Sequence, residues 1–243
     1  MARIALKLPT LSSRSVIKAV RSDRIRGVVG QQVYEQIRVA ILDCTYLPGL
    51  ALSEQAVSDN LEVSRAPVRE AFRRLATEGL LEVVPQGGTF VARLNVARIR
   101  DSIFVREMIE CKAAELAAKA PKSERESLLE IVERQRIASA KKNYVQHLSA
   151  DEALHFRIVE IAGHPNAWGP LRLARTGMNR IRHLAIPEFG SDTIALEQHE
   201  RVVAAIARSD GSKASAAMRQ HIRSPLDYVE ALMKKLPEYF VAR

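Results

Sequence analysis

Residues 52–91 read LSEQAVSDNLEVSRAPVREAFRRLATEGLLEVVPQGGTFV, and the order of elements in this stretch decides the N-terminal fold. Ser53 heads a short run to about Asn60 with Ala56 and Val57 on its inner side. Its hydroxyl suits the free N–H groups of a helix start. Leu61-Glu62-Val63 makes a turn, and Ser64 caps a second helix from Arg65 to about Glu78, which Gly79 ends. Leu81-Glu82-Val83-Val84 and Thr89-Phe90-Val91 then flank Pro85-Gln86-Gly87-Gly88, two strands around a glycine tip.

Working outward, Val33, Ile37 and Ile41, with Ala40 between them, set helical spacing from Gln31 to Asp43, and Pro48-Gly49 stops it. Helix, helix, tight turn, helix, hairpin is the order of a winged helix-turn-helix. In its third helix Val68, Ala71, Phe72 and Leu75 form the inward stripe, while Arg65, Arg69 and Arg73 follow at i+4 steps on an adjoining one. Such a helix fits the major groove of double-stranded DNA with its N-terminal residues toward base edges. Arg65 and Arg69 each have the bidentate geometry for guanine, and Ser64 with the helix N-terminus suits a phosphate. Arg73 and Arg74 lie farther back, toward phosphate or solvent.

From Val96 onward the spacing predicts helices at about 96–119, 122–140, 143–162, 167–185, 192–208 and 212–236, hence a helical bundle. Three domains follow: a basic arm at 1–28, a winged helix-turn-helix at 29–92, and a helical domain at 93–243. Asp151 and His155 share one helix face at i, i+4, with Cβ atoms about 6 Å apart. This pair reads either as a surface hydrogen bond or as half of a metal site. His199 and His221 lie on later helices. Three imidazoles and one carboxylate suit zinc, nickel or manganese rather than calcium or magnesium. Pro225 cannot donate to the carbonyl of His221, so the last helix should kink or restart there.

Bulk composition bears on the argument less than placement. The 243 residues are 47% hydrophobic, 27% charged and only 5% aromatic, with net charge +9. Residues 1–92 hold 12 Lys or Arg against 9 Asp or Glu, a balance of +3, whereas residues 93–243 hold 25 against 19. The half expected to bind DNA is therefore not the more basic one. Cys44 and Cys111 are far apart and lack metal-type spacing, as suits a reducing compartment. No apolar run reaches membrane-spanning length and no signal-peptide core precedes the first helix, so a cytoplasmic protein with no membrane association is expected.

The segments VSRAPVREAFRRLATEGLLE and PQGGTFV together resemble the DNA-binding domain of the GntR family of transcription regulators. The resemblance implies a homodimer on a short palindromic operator, DNA contacts at Ser64, Arg65, Ala66 and Arg69, and a wing lowered into the minor groove by Gly87 and Gly88. Some members place an arginine early in the second helix, where this chain has Gln55. DEALHFRIVEIAGHPN and EQHERVVAAIARSDGSKASAAMRQH resemble the FCD effector domain of the FadR-like subfamily, all four metal-ligand positions being filled by Asp151, His155, His199 and His221. Leu154 stands where a phenylalanine is usual and His164 where an asparagine is usual. Arg106, in VREMIECKAAELAA, matches an arginine of the first FCD helix; it either receives the effector's carboxylate or pairs with Glu110 at i+4.

The expected fold is thus mainly α, an N-terminal winged helix-turn-helix followed by an all-α FCD-type helical bundle. The expected function is a sequence-specific regulator, a repressor by the commoner family behaviour. A small carboxylic or hydroxy acid bound at a divalent transition metal would control its operator affinity. Three alternatives stand beside it: a purely structural metal, a metal that is itself the signal, and a metalloenzyme. Against the last, the chain has no HExxH, no nucleophile motif and no assigned general base, so no enzymatic activity is expected.

Overall fold

The computed structural model describes residues 23–241 and divides into two compact units, meeting in sequence between Arg93 and Leu94. In the first unit, helix α1 (Asp23–Leu42) starts within the stretch read from sequence as a basic arm; residues 1–22 of that arm lie outside the described residues. Strand β1 (Ala51–Leu52), helix α2 (Glu54–Asn60), helix α3 (Arg65–Thr77) and strands β2 (Leu81–Val84) and β3 (Gly88–Val91) follow. The sheet order is β1-β3-β2, antiparallel throughout, with Leu81 opposite Val91 and Val84 opposite Gly88. This is a helix-turn-helix with a wing. The two-residue β1 is too short to show a period in sequence, yet it adds the third strand.

Burial explains why these helices pack. Val33, Ile37 and Ile41 of α1 join Val57 of α2 and Val68, Ala71, Phe72 and Leu75 of α3 in one core. One inward assignment fails: Ala56 is exposed, and Ser58 is buried in its place beside Val57. Ser58 offsets that burial by donating its hydroxyl to the Gln55 carbonyl at 2.9 Å.

Among its described residues the second unit is helical, apart from connecting turns and a parallel bridge between Leu94 and Phe240. Helix α4 (Val96–Arg106) runs through a π-helical turn (Glu107–Cys111) into α5 (Lys112–Ala117). Next come α6 (Lys122–Ala140), α7 (Tyr144–Ile161), α8 (Trp168–Ala174), α9 (Thr176–Phe189), α10 (Ser191–Ala207), α11 (Gly211–Arg223) and α12 (Leu226–Lys235). Two expected helices are therefore each two. The segment 167–185 breaks at Arg175, and 212–236 restarts at Pro225, as its missing N–H dictates. α6 packs on α7 and α10, and α11 on α5 and α10, around Leu128, Leu154, Ile158, Val202, Ile206 and Ile222. Leu154, where a phenylalanine is usual, is fully buried in that core.

Candidate nucleic-acid interface and candidate metal centre

In the first unit the α3 face opposite the core carries the expected arginines. Ser64 is the N-cap residue, exposed, and its hydroxyl makes no capping bond. Arg65 and Arg69 are 55% and 67% exposed, and both lean on one carboxylate of α2. Glu54 Oε2 lies 3.2 Å from Arg69 Nε and 3.6 Å from Arg65 Nη2. Arg73, more exposed still, pairs with Glu70 on its own helix at 2.5 Å. Ala66 is exposed at the same end. Arg74 leaves the row: its guanidinium sits 3.8 Å from the Tyr34 ring centroid and donates to Gln31 at 3.0 Å, a packing role. Gln55, where some relatives carry arginine, donates to Asp59 at 2.7 Å.

The wing needs its glycines for two different reasons. Gly88 holds φ +107°, which only glycine adopts without strain, whereas a Cβ on Gly87 would stand 2.8 Å from Val84 Cγ1. Residues 82–88 are all exposed, so the tip presents backbone rather than bulk.

In the second unit, Asp151 and His155 of α7, His199 of α10 and His221 of α11 come together with one donor atom from each within 4.8 Å of all the others. All four are at most 2% exposed. The sequence placed two of them on one helix face; only packing brings the other two across from separate helices. His221 Nε2 lies 3.2 Å from both His155 Nε2 and His199 Nε2, and Asp151 Oδ1 stands 3.4 Å from His199 Nε2. Nitrogens about 2.0–2.1 Å from a shared ion stand roughly 3.0–3.4 Å apart, so this spacing fits a metal.

The opposite edges of the rings settle which nitrogen faces inward. His199 Nδ1 donates to Gln135 Oε1 at 2.7 Å, His221 Nδ1 to Gln198 Oε1 at 3.1 Å, and His155 Nδ1 faces Glu110 Oε2. With Nδ1 protonated in each ring, three Nε2 lone pairs converge, an arrangement suited to holding a cation. The carboxylate is oriented likewise. Asp151 Oδ2 accepts from Arg175 and Arg182 at 2.7 Å each, which leaves Oδ1 toward the imidazoles.

Burial governs the protonation states. Desolvation, aided by the Arg175 charge, pushes His155 down to about 4, and with neighbouring cations it holds His199 and His221 well below the usual imidazole range. All three are neutral, as metal ligands must be. Burial alone would raise the Asp151 and Glu110 carboxyls, but the surrounding arginines and imidazoles hold both well below the carboxylate range.

Arg106 is fully buried and donates Nε to Glu110 at 2.6 Å, so the i+4 pair forms, though inside the bundle and not at its surface. Its two outer nitrogens have no partner among the described residues. The π-helical turn explains how Arg106, Glu107, Glu110 and Cys111 are all buried, because an extra residue per turn rotates successive side chains onto one face. His147, a turn before Asp151, is buried and meets Gln135 Nε2 at 3.2 Å; His164 lies exposed in the turn after α7. Sequence reasoning did not single out Arg175, Arg182, Gln135 or Gln198, and it named Glu110 only as a partner for Arg106. The seven-residue step from Arg175 to Arg182, two turns on one face, was the one signal available.

Comparison with known proteins agrees with both halves. Residues 29–91 match the bacterial regulatory proteins of the gntR family, and residues 101–224 match the FCD domain. The chain belongs to the GntR family, with an FCD domain behind its DNA-binding unit. It is 32% identical over 213 residues to the HTH-type transcriptional repressor RspR of Escherichia coli K12, covering 87% of this chain and 93% of that protein. It is 26% identical over 189 residues to the Nta operon transcriptional regulator of Aminobacter aminovorans, covering 78% and 89%. The solved structure of E. coli McbR/YncC shares the fold at TM-score 0.73 and 18% identity, covering 84% of this chain and 97% of that one. The protein is a DNA-binding transcription regulator. Among its described residues no helix is long and apolar enough to cross a membrane.

Proposed function

We propose that this GntR regulator is a metal-dependent repressor of the FadR-like subfamily, released from its operator by a small carboxylic or hydroxy acid. In this reading residues 29–92 bind DNA, residues 93–243 bind the effector and dimerise, and a homodimer sits on a palindromic site in the cytoplasm. Ser64, Arg65, Ala66, Arg69 and Arg73 contact the major groove and its phosphates, and Gly87 and Gly88 bring the wing to the minor groove. Zinc, nickel or manganese binds Asp151, His155, His199 and His221, supplying positive charge and open positions for the acid. The unpartnered outer nitrogens of Arg106 support its part in receiving the acid's negative charge.

The observation that carries the reading is the convergence of three Nε2 atoms and Asp151 Oδ1 inside a ring of guanidiniums. Arg106, Arg175 and Arg182 face Glu110 and Asp151, three cations to two anions before any metal enters. Metal raises that excess, and a bound acid lowers it. The relative named as a transcriptional repressor supports the sign of regulation. The test begins by selecting bound DNA from a random pool with metal-loaded protein. The selected palindrome is then titrated with and without 2-hydroxy acids. At least a tenfold loss of operator affinity is expected; unchanged affinity with an acid that demonstrably binds would overturn the coupling.

A purely structural metal is the second reading, favoured by the near-complete burial of all four donors. It requires thermal stabilisation by metal with no further effect of any acid.

A further inference from the structure

The chain passes from the DNA-binding unit to the helical unit between Arg93 and Leu94, and its backbone is tied down on both sides of that point. On the near side the Ala92 N–H donates to the Leu80 carbonyl at 2.9 Å. On the far side the Leu94 N–H donates to the Tyr239 carbonyl at 2.8 Å, and the Val241 N–H donates to the Leu94 carbonyl at 2.9 Å. One residue, Arg93, separates these two anchors. Asn95 then caps α4, its side chain accepting from the Arg98 N–H at 3.2 Å. The far anchor is not local in sequence. It comes from the segment behind α12, where a 3-10 turn (Pro237–Tyr239) delivers Phe240 to Leu94. Leu94 and Phe240 are 2% and 5% exposed, in the same core as Val229 and Leu232 of α12. Apolar burial and two backbone bonds together hold a segment that belongs to neither a helix nor a sheet.

We infer that the segment 237–241 is a latch on the linker between the two units, and that Leu94 and Phe240 are positioning residues for operator binding. The inference rests on the proposed homodimer on a palindrome and adds what sets the tolerated spacing of its half-sites. With the latch closed, Arg93 is the one residue between the anchors. With it open, Leu94 joins the linker, which then runs to the α4 cap at Asn95. An extended residue spans about 3.3–3.6 Å, and one base pair advances the duplex by about 3.4 Å. One residue released in each protomer is therefore on the scale of a base pair inserted between half-sites, and its two backbone dihedrals supply rotation as well. A closed latch makes the dimer reject a misplaced half-site. An open one lets each DNA-reading unit find its half-site separately, with more freedom to lose on binding, so the correct spacing is gripped less tightly.

The test is operator titration of the full chain on three duplexes: the selected palindrome, the same palindrome with one or two base pairs inserted at its centre, and a single half-site. The parent should bind the selected spacing at least tenfold more tightly than the inserted ones. Two variants open the latch by different routes. F240A removes the buried side chain. V241P deletes the N–H that donates to Leu94, at a side chain already 47% exposed, and the Phe240 backbone at φ −107° and ψ 153° suits the residue before a proline. Each should compress the ratio between correct and inserted spacings at least threefold, with half-site affinity within twofold of the parent. F240L and V241A, which keep the apolar anchor and the N–H, should behave as the parent does. Circular dichroism verifies that each variant is folded, and a purely structural loss would weaken all three duplexes alike. An unchanged spacing ratio in folded F240A and V241P, or a parent indifferent to spacing, would overturn the inference. A parent that binds a single half-site as tightly as the palindrome would instead overturn the dimeric reading beneath it.

Discussion

The two halves of the molecule use the same chemistry, arginine against carboxylate, in opposite surroundings. On α3, Glu54 meets Arg65 and Arg69 at the surface, where water screens the pairs and each contributes little to stability. Those arginines can exchange Glu54 for a base edge or a phosphate at little cost. In the bundle, Asp151 meets Arg175 and Arg182 with all three nearly water-free. There, removing one partner leaves a buried charge with fewer partners and no access to water. Exposed pairs suit reading a partner that arrives and leaves; buried ones suit a site whose state must change the packing around it.

The largest expected effect tests the buried side. D151A removes the buried carboxylate that Arg175 and Arg182 share and should cost about 3–5 kcal/mol in urea unfolding of the metal-free protein. An effect below about 1 kcal/mol would show that water reaches the cluster and that the contrast with α3 is false.

Next is pH. His155, His199 and His221 are neutral when folded and have depressed values, so the unfolded chain binds more protons than the native one. Stability of the metal-free protein should therefore fall as pH drops from about 6.5 toward about 4, by up to about 1.4 kcal/mol per pH unit for each histidine. Chemical denaturation across that range measures it; a flat profile would mean that the imidazoles are already charged or hydrated.

The smallest effects belong to the surface. R69A should cost about 1–3 kcal/mol on the selected operator and relax its preference at one base, with manganese affinity unchanged. R73A should weaken all sequences alike and flatten the salt dependence by about one unit. Equal behaviour of the two variants would erase the distinction between a reading and a positioning arginine.

Much of this was legible beforehand, for reasons that differ by element. The α3 stripe of Val68, Ala71, Phe72 and Leu75 encodes its own burial, and the rotation by 3.6 residues per turn then exposes Arg65 and Arg69 without help from elsewhere. Ala56 was misplaced because a seven-residue helix gives too few turns to fix a phase, and Ser58 could be buried only by bonding back to its own backbone. In the bundle, the four candidate metal ligands came from a pattern, but beyond the seven-residue step from Arg175 to Arg182 nothing in the sequence pointed to the groups, Gln135 and Gln198 among them, that orient those ligands.

The sequence by itself determined the winged helix-turn-helix, the helical second half, the restart at Pro225 and the residues capable of holding a metal. These follow from local rules: periodicity, capping hydroxyls, a ring without an N–H, and donor chemistry. Only the tertiary structure decided that Asp151 and three histidines converge, which nitrogen of each ring faces inward, and that Arg182 meets His221 Nε2. Those relations join side chains far apart in sequence, and they form only when α7, α9, α10 and α11 pack closely enough to exclude the water that would otherwise keep each charge apart.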